Sequence, residues 1–415
     1  MGVEISPRGL TALVEMTRKE EGNMKKIGFV IPWYGEKIGG GAEAELRGVV
    51  HHLKDAGVEG EVLTTCVECF ASDWNRNFHK PGVTEEAGIP VRRFRVRKRD
   101  TGAFDRVNVK LMAGERLTPE EEKTFCKEMV NSKRLYSFLR RHGKDYGLFV
   151  FIPYMFGTTY YGCQVWPEKS VLIPCLHDES YAYMECFREA FSKVRGMIFN
   201  AEPERRLAEK LYGVKGETFR TFGIGMETDW QADGERFRKK YGIEAPFILY
   251  AGRKDTGKRV DLLIRYYTEY REKNQGSELK LVLIGGGKIE IPDQENIIDL
   301  GFVDLQDKYD AYGAAEVFCN PSEMESFSIV IMESWLAGRP VMVNGACAVT
   351  KDFVEQAQGG ICFGSYEEFE EGLKRLTEDK KLAERMGSNG RKYVLERFDW
   401  GVITRRYIEY FKRLG

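Results

Sequence analysis

The chain has 415 residues, 42% hydrophobic and 31% charged, which is enough length for two domains. Lys plus Arg number 63 against 64 for Asp plus Glu, so bulk charge leaves no footprint for nucleic acid as a partner. No run approaches the ~20 apolar residues of a membrane span, and charges interrupt Met1 to Glu21, where a signal-peptide core would lie. A cytoplasmic, soluble protein is the expectation, with peripheral contact at the inner face of a membrane left open. Nine cysteines, an odd and scattered set, suit buried free thiols in a reducing compartment. Cys66 and Cys69 form one C-x-x-C with no second pair and no histidine at finger spacing, which reads as structural.

Residues 1–23 read as an extension before the fold. A first strand follows at Ile27 to Ile31, then Gly39-Gly40-Gly41 and a helix pattern over Ala42 to Ala56, with Leu46, Val49, Val50 and Leu53 at helical spacing. Thr118-Pro119-Glu120-Glu121 is a capping box that predicts one helix to about Arg141. Strands are expected at Leu148 to Ile152 and Val171 to Pro174, and a helix near Ala201 to Tyr212. A turn-rich joint lies near Gly223 to Gly234. The alternation then restarts, with strands at Phe247 to Tyr250, Leu279 to Ile284, Ile297 to Leu300, Val317 to Cys319 and Val341 to Val343, and helices at Arg259 to Lys273 and from about Ile329 to Leu336. Alternating strands and helices predict parallel sheets covered on both faces, in two Rossmann-like domains that bind ligands at the carboxyl ends of their strands.

Pro321 to Val341 holds Glu325 in a polar loop after a strand and Glu333 inside the apolar segment that follows. On one helix the two would sit about 12 Å apart along the axis. Carboxyls that cleave one glycosidic bond are roughly 5–9.5 Å apart. The spacing therefore favours two carboxylates gripping separate parts of a long ligand, beside the plainer reading of two solvated glutamates near a helix start. Ala251 to Arg259 places four cations in seven positions after a strand, either a solvated loop or a cradle for a diphosphate. Gly39 and Gly40 open a helix and allow close approach of a phosphate or sugar, although Glu43 in the first turn satisfies the same dipole. Gly285-Gly286-Gly287 reads as a sharp turn. His177 at a strand end is either an ordinary surface histidine or a donor to a substrate hydroxyl. No D-x-D occurs, which, beside Arg253 and Lys258, favours metal-free stabilisation of a leaving diphosphate.

Taken in order, the glycine-rich first loop, the mid-domain His177, the Gly252-Arg253…Lys258 loop, the Glu325/Glu333 pair spaced as Glu-x7-Glu and the terminal Phe398-Asp399-Trp400 resemble retaining glycosyltransferase family 4, which has the GT-B fold. The likeness runs from about Lys25 to the C-terminus. It implies an α/β GT-B architecture of two Rossmann-like domains facing a cleft. The acceptor domain would span 24–222, the nucleotide-sugar donor domain 223–398, and residues 399–415 would form a helix crossing back to the first domain. It also implies that Arg253 and Lys258 hold the donor diphosphate, Glu333 the ribose hydroxyls and Glu325 the donor sugar. Backbone amides of Ser326, Phe327 and Ser328 would meet sugar or phosphate, His177 would lie at the reaction centre, and Gly39 and Gly40 would close on the diphosphate and acceptor. No cofactor or metal is expected. The partners would be a nucleoside-diphosphate sugar and an unnamed sugar, lipid-linked or small-molecule acceptor, in polysaccharide or glycoconjugate synthesis.

The chain departs from the family pattern at Ser326 and Ser328, where Gly is common, and at Lys258-Arg259, where Lys-Gly is. Two other readings stay open: a GT-B nucleotide-sugar epimerase or hydrolase, and a non-catalytic nucleotide-sugar-binding subunit. Val91 to Arg99 is strongly basic and reads as a strand with a solvated face, with anionic lipid as the alternative. Residues between Cys66 and Arg116 follow no evident pattern.

Overall fold

A computed structural model describes residues 24–415; the expected extension at 1–23 lies outside them. The chain forms two compact units. Unit 1 ends at Gly225 and regains Trp400–Gly415, and unit 2 is Met226–Asp399. These limits fall three residues and one residue beyond those expected from sequence.

Unit 1 is built on an eight-stranded sheet of β1 (Ile27–Val30), β2 (Gly60–Thr65), β3 (Gly82–Glu86), β4 (Ile89–Phe94), β5 (Leu148–Phe151), β6 (Ser170–Leu172), β7 (Gly196–Phe199) and β8 (Phe219–Thr221), in spatial order 3-4-2-1-5-6-7-8. Only β3 pairs antiparallel. β1 and β5 are wholly buried, as covering both faces of a parallel sheet requires. The order reverses at β1, which has β2 on one side and β5 on the other. Unit 2 has a six-stranded parallel sheet of β9 (Phe247–Ala251), β10 (Lys280–Ile284), β11 (Ile297–Asp299), β12 (Val317–Asn320), β13 (Val341–Asn344) and β14 (Gly360–Phe363), in order 11-10-9-12-13-14. Its reversal falls between β9 and β12, which pair in parallel. In open sheets of this kind the crevice beyond such a reversal is the favoured ligand position.

The helix expected from Thr118 to about Arg141 is two helices, Pro119–Glu128 and Lys133–His142. Thr118 and Glu121 do form the capping box. The break comes because Ser132 caps the second helix, accepting from Leu135 N at 3.3 Å, while its hydroxyl donates to Arg95 O at 2.7 Å. The unread stretch between Cys66 and Arg116 holds β3, β4 and the helix Thr101–Met112. In the basic stretch Val91 to Arg99, on β4 and just after it, three arginines are engaged by glutamates, while Arg95 and Lys98 are exposed. Arg92 pairs with Glu61 at 2.7 Å, Arg93 with Glu86, and Arg97 with Glu128 at 2.7 Å.

The terminal helix Trp400–Leu414 belongs to unit 1 and buries Trp400, Ile403, Tyr407 and Phe411 at helical spacing. Trp400 lies against two glycines: a Cβ at Gly48 would come within 2.1 Å of its ring and one at Gly225 within 2.2 Å. His52 stacks on the same indole at 4.3 Å. No side chain fits at either glycine without moving Trp400. Gly48→Val is therefore expected to destabilise unit 1 by about 1–3 kcal/mol through overpacking, read as an earlier urea-unfolding transition; an unchanged midpoint would show that the helix yields freely.

Candidate functional site

Strand β9 delivers the basic loop and β12 the loop of Glu325, one from each side of the sheet reversal in unit 2. The two loops meet. Lys258 Nζ lies 2.8 Å from Glu325 Oε1. Asp255 shapes the approach by accepting from Lys258 N at 2.9 Å, which closes the short turn Thr256–Lys258, and it also pairs with the exposed Arg253. Asn320, at the end of β12, donates to Ser328 Oγ at 2.8 Å and to Glu325 Oε1 at 3.4 Å. Ser328 itself is left-handed (φ 77°), a conformation glycine adopts without strain, so this hydrogen bond helps hold the departure from the family pattern. Arg259 is likewise left-handed (φ 55°) at the start of the helix Val260–Lys273. Phe327 is buried and packs on Phe353 and Phe398 at 5.2 and 5.0 Å, so its side chain anchors the loop.

Glu333 lies within the helix Ile329–Leu336 and Glu325 outside it, so the pair does not share one helix. Glu333 is buried, not solvated, and holds Lys308 Nζ at 2.6 Å and Tyr312 OH at 2.9 Å. Burial, then the Glu333 charge, push the Tyr312 phenol well up, so it stays a donor to that carboxylate.

The three glycines after β10 have a reason that goes beyond a turn. Gly252 N donates to Ile284 O at 2.9 Å and Lys254 N to Gly286 O at 2.7 Å, which zips the ends of β9 and β10 together. A Cβ at Gly285 would stand 2.1 Å from Gly252 O, and one at Gly287 2.0 Å from Lys254 O. One of the four loop cations is therefore structural: Lys254 is buried and paired with Asp299.

Unit 1 carries the other expected residues. Gly39 and Gly40 are exposed ahead of the helix Gly41–Asp55. Glu43 folds onto that helix start and accepts from Trp33 Nε1. His177 follows β6, half-buried, with Nδ1 3.7 Å from Glu179 Oε1. Beneath it lies a buried acid cluster that sequence reasoning missed. Glu204 accepts from Leu176 N and Asn200 N, both at 2.6 Å, and so ties the segment bearing His177 to the end of β7. Glu45 Oε2 accepts from Asn200 Nδ2 at 2.9 Å, with Cys175 Sγ at 3.6 Å. Burial lifts the carboxyl of Glu45 to about 7 and that of Glu204 to about 8. Among the described residues, Glu45 Oε1 and Asn200 Oδ1 are buried without a hydrogen-bond partner. The only sequence signal was Glu45 at a helix position whose neighbours Leu46 and Val49 face the core.

Residues 233–393, all within unit 2, match the family described as glycosyl transferases group 1. An uncharacterized glycosyltransferase of Methanocaldococcus jannaschii is 26% identical over 188 residues, covering 42% of this chain and 47% of that protein. A Campylobacter jejuni N-acetylgalactosaminyltransferase that acts on a diphospho-undecaprenol-linked sugar is 30% identical over 197 residues, covering 44% and 51%. The chain thus spans about half the length of these relatives. Among solved structures, Anabaena HepE in complex with UDP superposes with a TM-score of 0.68 at 16% identity, covering 94% of this chain and all of that one. Sucrose-phosphate synthase from Thermosynechococcus elongatus gives 0.66 at 17%, covering 94% and 99%. The fold is GT-B.

Two outcomes follow. Gly285→Ala adds a Cβ against Gly252 O at a left-handed position (φ 114°) and is expected to cost about 2 kcal/mol or more, measured by thermal unfolding of unit 2; a wild-type midpoint would mean the loops separate without cost. The ordinary glutamate value is 4.5, so between there and about 8 the folded chain holds protons that the unfolded chain has released. Stability is fully present below about 4.5 and declines as pH rises through 7 and 8. Each carboxyl forced to ionise should contribute a slope near 1.4 kcal/mol per pH unit within its window. Glu45→Gln, which removes this titrating carboxyl, should flatten the fall in melting temperature between about pH 5 and 7, and an unchanged slope would place the proton elsewhere.

Proposed function

We propose that the chain is a retaining glycosyltransferase of family 4 that moves a sugar from a nucleoside-diphosphate sugar to an acceptor hydroxyl without a metal. The observation that carries this reading is the Lys258–Glu325 contact across the sheet reversal of unit 2. It sets a cation for phosphate beside a carboxylate for sugar hydroxyls at the edge where such sheets bind ligands. Arg253, whose exposed guanidinium pairs with Asp255, supplies a fork for the diphosphate. Glu333, oriented by Lys308 and Tyr312, takes the ribose hydroxyls. Backbone amides from Ser326 to Ser328, at the start of the helix Ile329–Leu336, add to the anion site.

The bond between the anomeric carbon and the diphosphate oxygen breaks, and the acceptor oxygen joins the same face of that carbon. Its proton passes to the departing diphosphate, which Arg253 and Lys258 stabilise. His177 serves the reacting sugar, on a segment held by Glu204. HepE, a similar fold, was solved with UDP, which makes UDP the first nucleotide to try. Assembly of a polysaccharide or glycoconjugate is the setting, at the cytoplasmic side of a cell.

Titration calorimetry of UDP, GDP, ADP and TDP in chelator tests the site. One nucleotide is expected to bind, weakened about ten- to hundredfold in Lys258→Ala and in Glu333→Ala. Binding that needs a divalent ion, or is indifferent to both variants, would overturn the metal-free site. Free sugar or an epimer as the sole product would favour the hydrolase or epimerase reading, and binding without turnover the non-catalytic one.

A further inference from the structure

Two cysteines far apart in sequence meet in unit 1, at a place the donor chemistry above does not use. Cys126 lies on the helix Pro119–Glu128 and Cys186 on the helix Glu185–Phe191. The two helices pack together. The sulfurs stand 3.4 Å apart, although 60 residues separate the two positions. A disulfide bond is about 2.05 Å long, so the sulfurs need to close by only about 1.4 Å. Sequence spacing singles out Cys66 and Cys69 and gives no sign of this pair.

Neighbouring groups set up the meeting. Glu122 stands one turn before Cys126 on the same helix face. Its carboxylate accepts from Glu185 N and Cys186 N, both at 2.9 Å. One helix thus satisfies the first amides of the other and fixes the height at which Cys186 faces Cys126. Beside Cys186, Phe187 is buried against Tyr154 and Phe191 at 5.6 and 5.1 Å. Beside Cys126, Phe125 is buried against Phe104 at 5.4 Å. Backbone packed this way has little freedom to part the sulfurs.

Burial divides the roles. Cys126 is buried, whereas Cys186 keeps part of its surface in solvent. A small disulfide from solution therefore reaches Cys186 first. The Cys186 sulfur attacks one sulfur of R–S–S–R, and one R–SH leaves. The Cys126 sulfur then attacks the mixed disulfide at Cys186, and the second R–SH leaves. The protein gives up two electrons and two protons, and both pairs leave with the two small thiols. The hydrogen bond with Cys126, then burial, and also the Glu122 carboxylate push the Cys186 thiol up. Exchange at such a thiol is slow. The same surroundings do not stabilise the thiolate that would favour the open pair, so the bond once made resists reduction.

We propose that Cys126 and Cys186 form a reversible disulfide, exchanged with small thiols and disulfides, that clamps the helix Glu185–Phe191 to the helix Pro119–Glu128. The clamp is closed where the small-thiol pool is oxidised and open where it is reduced. Closing a loop of 60 residues removes entropy from the unfolded chain, so the oxidised form is the more stable. The clamp also bears on His177, whose segment runs into the helix Glu185–Phe191 through the turn Ser180–Tyr183. Tyr181 OH ties that turn to Asn108 Oδ1 at 2.8 Å. None of this depends on the glycosyltransferase reading.

Peptide mass spectrometry on the full chain tests it, after equilibration of the folded protein with glutathione disulfide and alkylation of the remaining thiols in urea. A peptide holding Cys126 should be joined to one holding Cys186, lighter than the reduced pair by two hydrogens. Alkylation should reach seven of the nine cysteines, and excess reduced glutathione should restore the other two. The oxidised chain should melt several degrees above the reduced one. Cys186→Ser and Cys126→Ala should each abolish both the linked peptide and the shift. A link that forms only in urea, glutathione left on Cys186 without closure, a link from Cys186 to Cys175 or Cys163 instead, or an oxidised chain that melts no higher than the reduced one would each overturn the proposal.

Discussion

Parallel strands send their carboxyl ends to one edge, and in unit 2 the ends of β9 and β10 are joined there backbone to backbone. Main-chain bonds from Gly252 and Lys254 reach Ile284 and Gly286 at distances that leave no room for a Cβ at Gly285 or Gly287. That join fixes the start of the basic loop. With its start fixed, Asp255 can fold the next turn, and the turn presents Lys258 to Glu325 from the strand on the other side. Without the join, four cations within seven residues would repel one another into solvent. With it, one becomes a buried brace on Asp299 and another a partner for a carboxylate.

Much of this was readable from the residue pattern. The apolar strand runs and the glycines behind them located both sheets, and the helix Ile329–Leu336 came out at its observed limits. What resisted reading was whatever depends on partners distant in sequence. The arginines of Val91 to Arg99, on β4 and just after it, alternate as a solvated strand would, and nothing local says that Glu61, Glu86 and Glu128 pair with Arg92, Arg93 and Arg97. The break at Met129–Ser132 is equally non-local, since Ser132 bonds back to Arg95. Glu45 and Glu204 look like ordinary helix surface residues until the fold buries both against Asn200. Trp33, Phe70 and Trp74 read as scattered aromatics, because only the strand order brings the loops after β1, β2 and β5 side by side.

The two units solve the same problem with different chemistry. Each reverses its strand order beside its first strand, and each sets its most distinctive side chains at that reversal. In unit 2 these are a lysine and a glutamate, polar groups suited to charge and hydroxyls. In unit 1 they are packed aromatic rings with one buried carboxylate bonded to Trp33. A shared backbone plan therefore carries different side-chain chemistry in each half, and the difference lies in the loops after the strands.

Trp400 has a consequence for how the molecule is made. The last strand of unit 1 ends at Thr221, yet the indole that fills the space beside Gly48 and Gly225 arrives only after a further 174 residues, Met226–Asp399, have been synthesised. On the ribosome unit 1 must therefore wait, its strands complete and the seat for Trp400, Tyr407 and Phe411 uncovered, while unit 2 emerges. The first half of the chain to be translated is the last to be sealed.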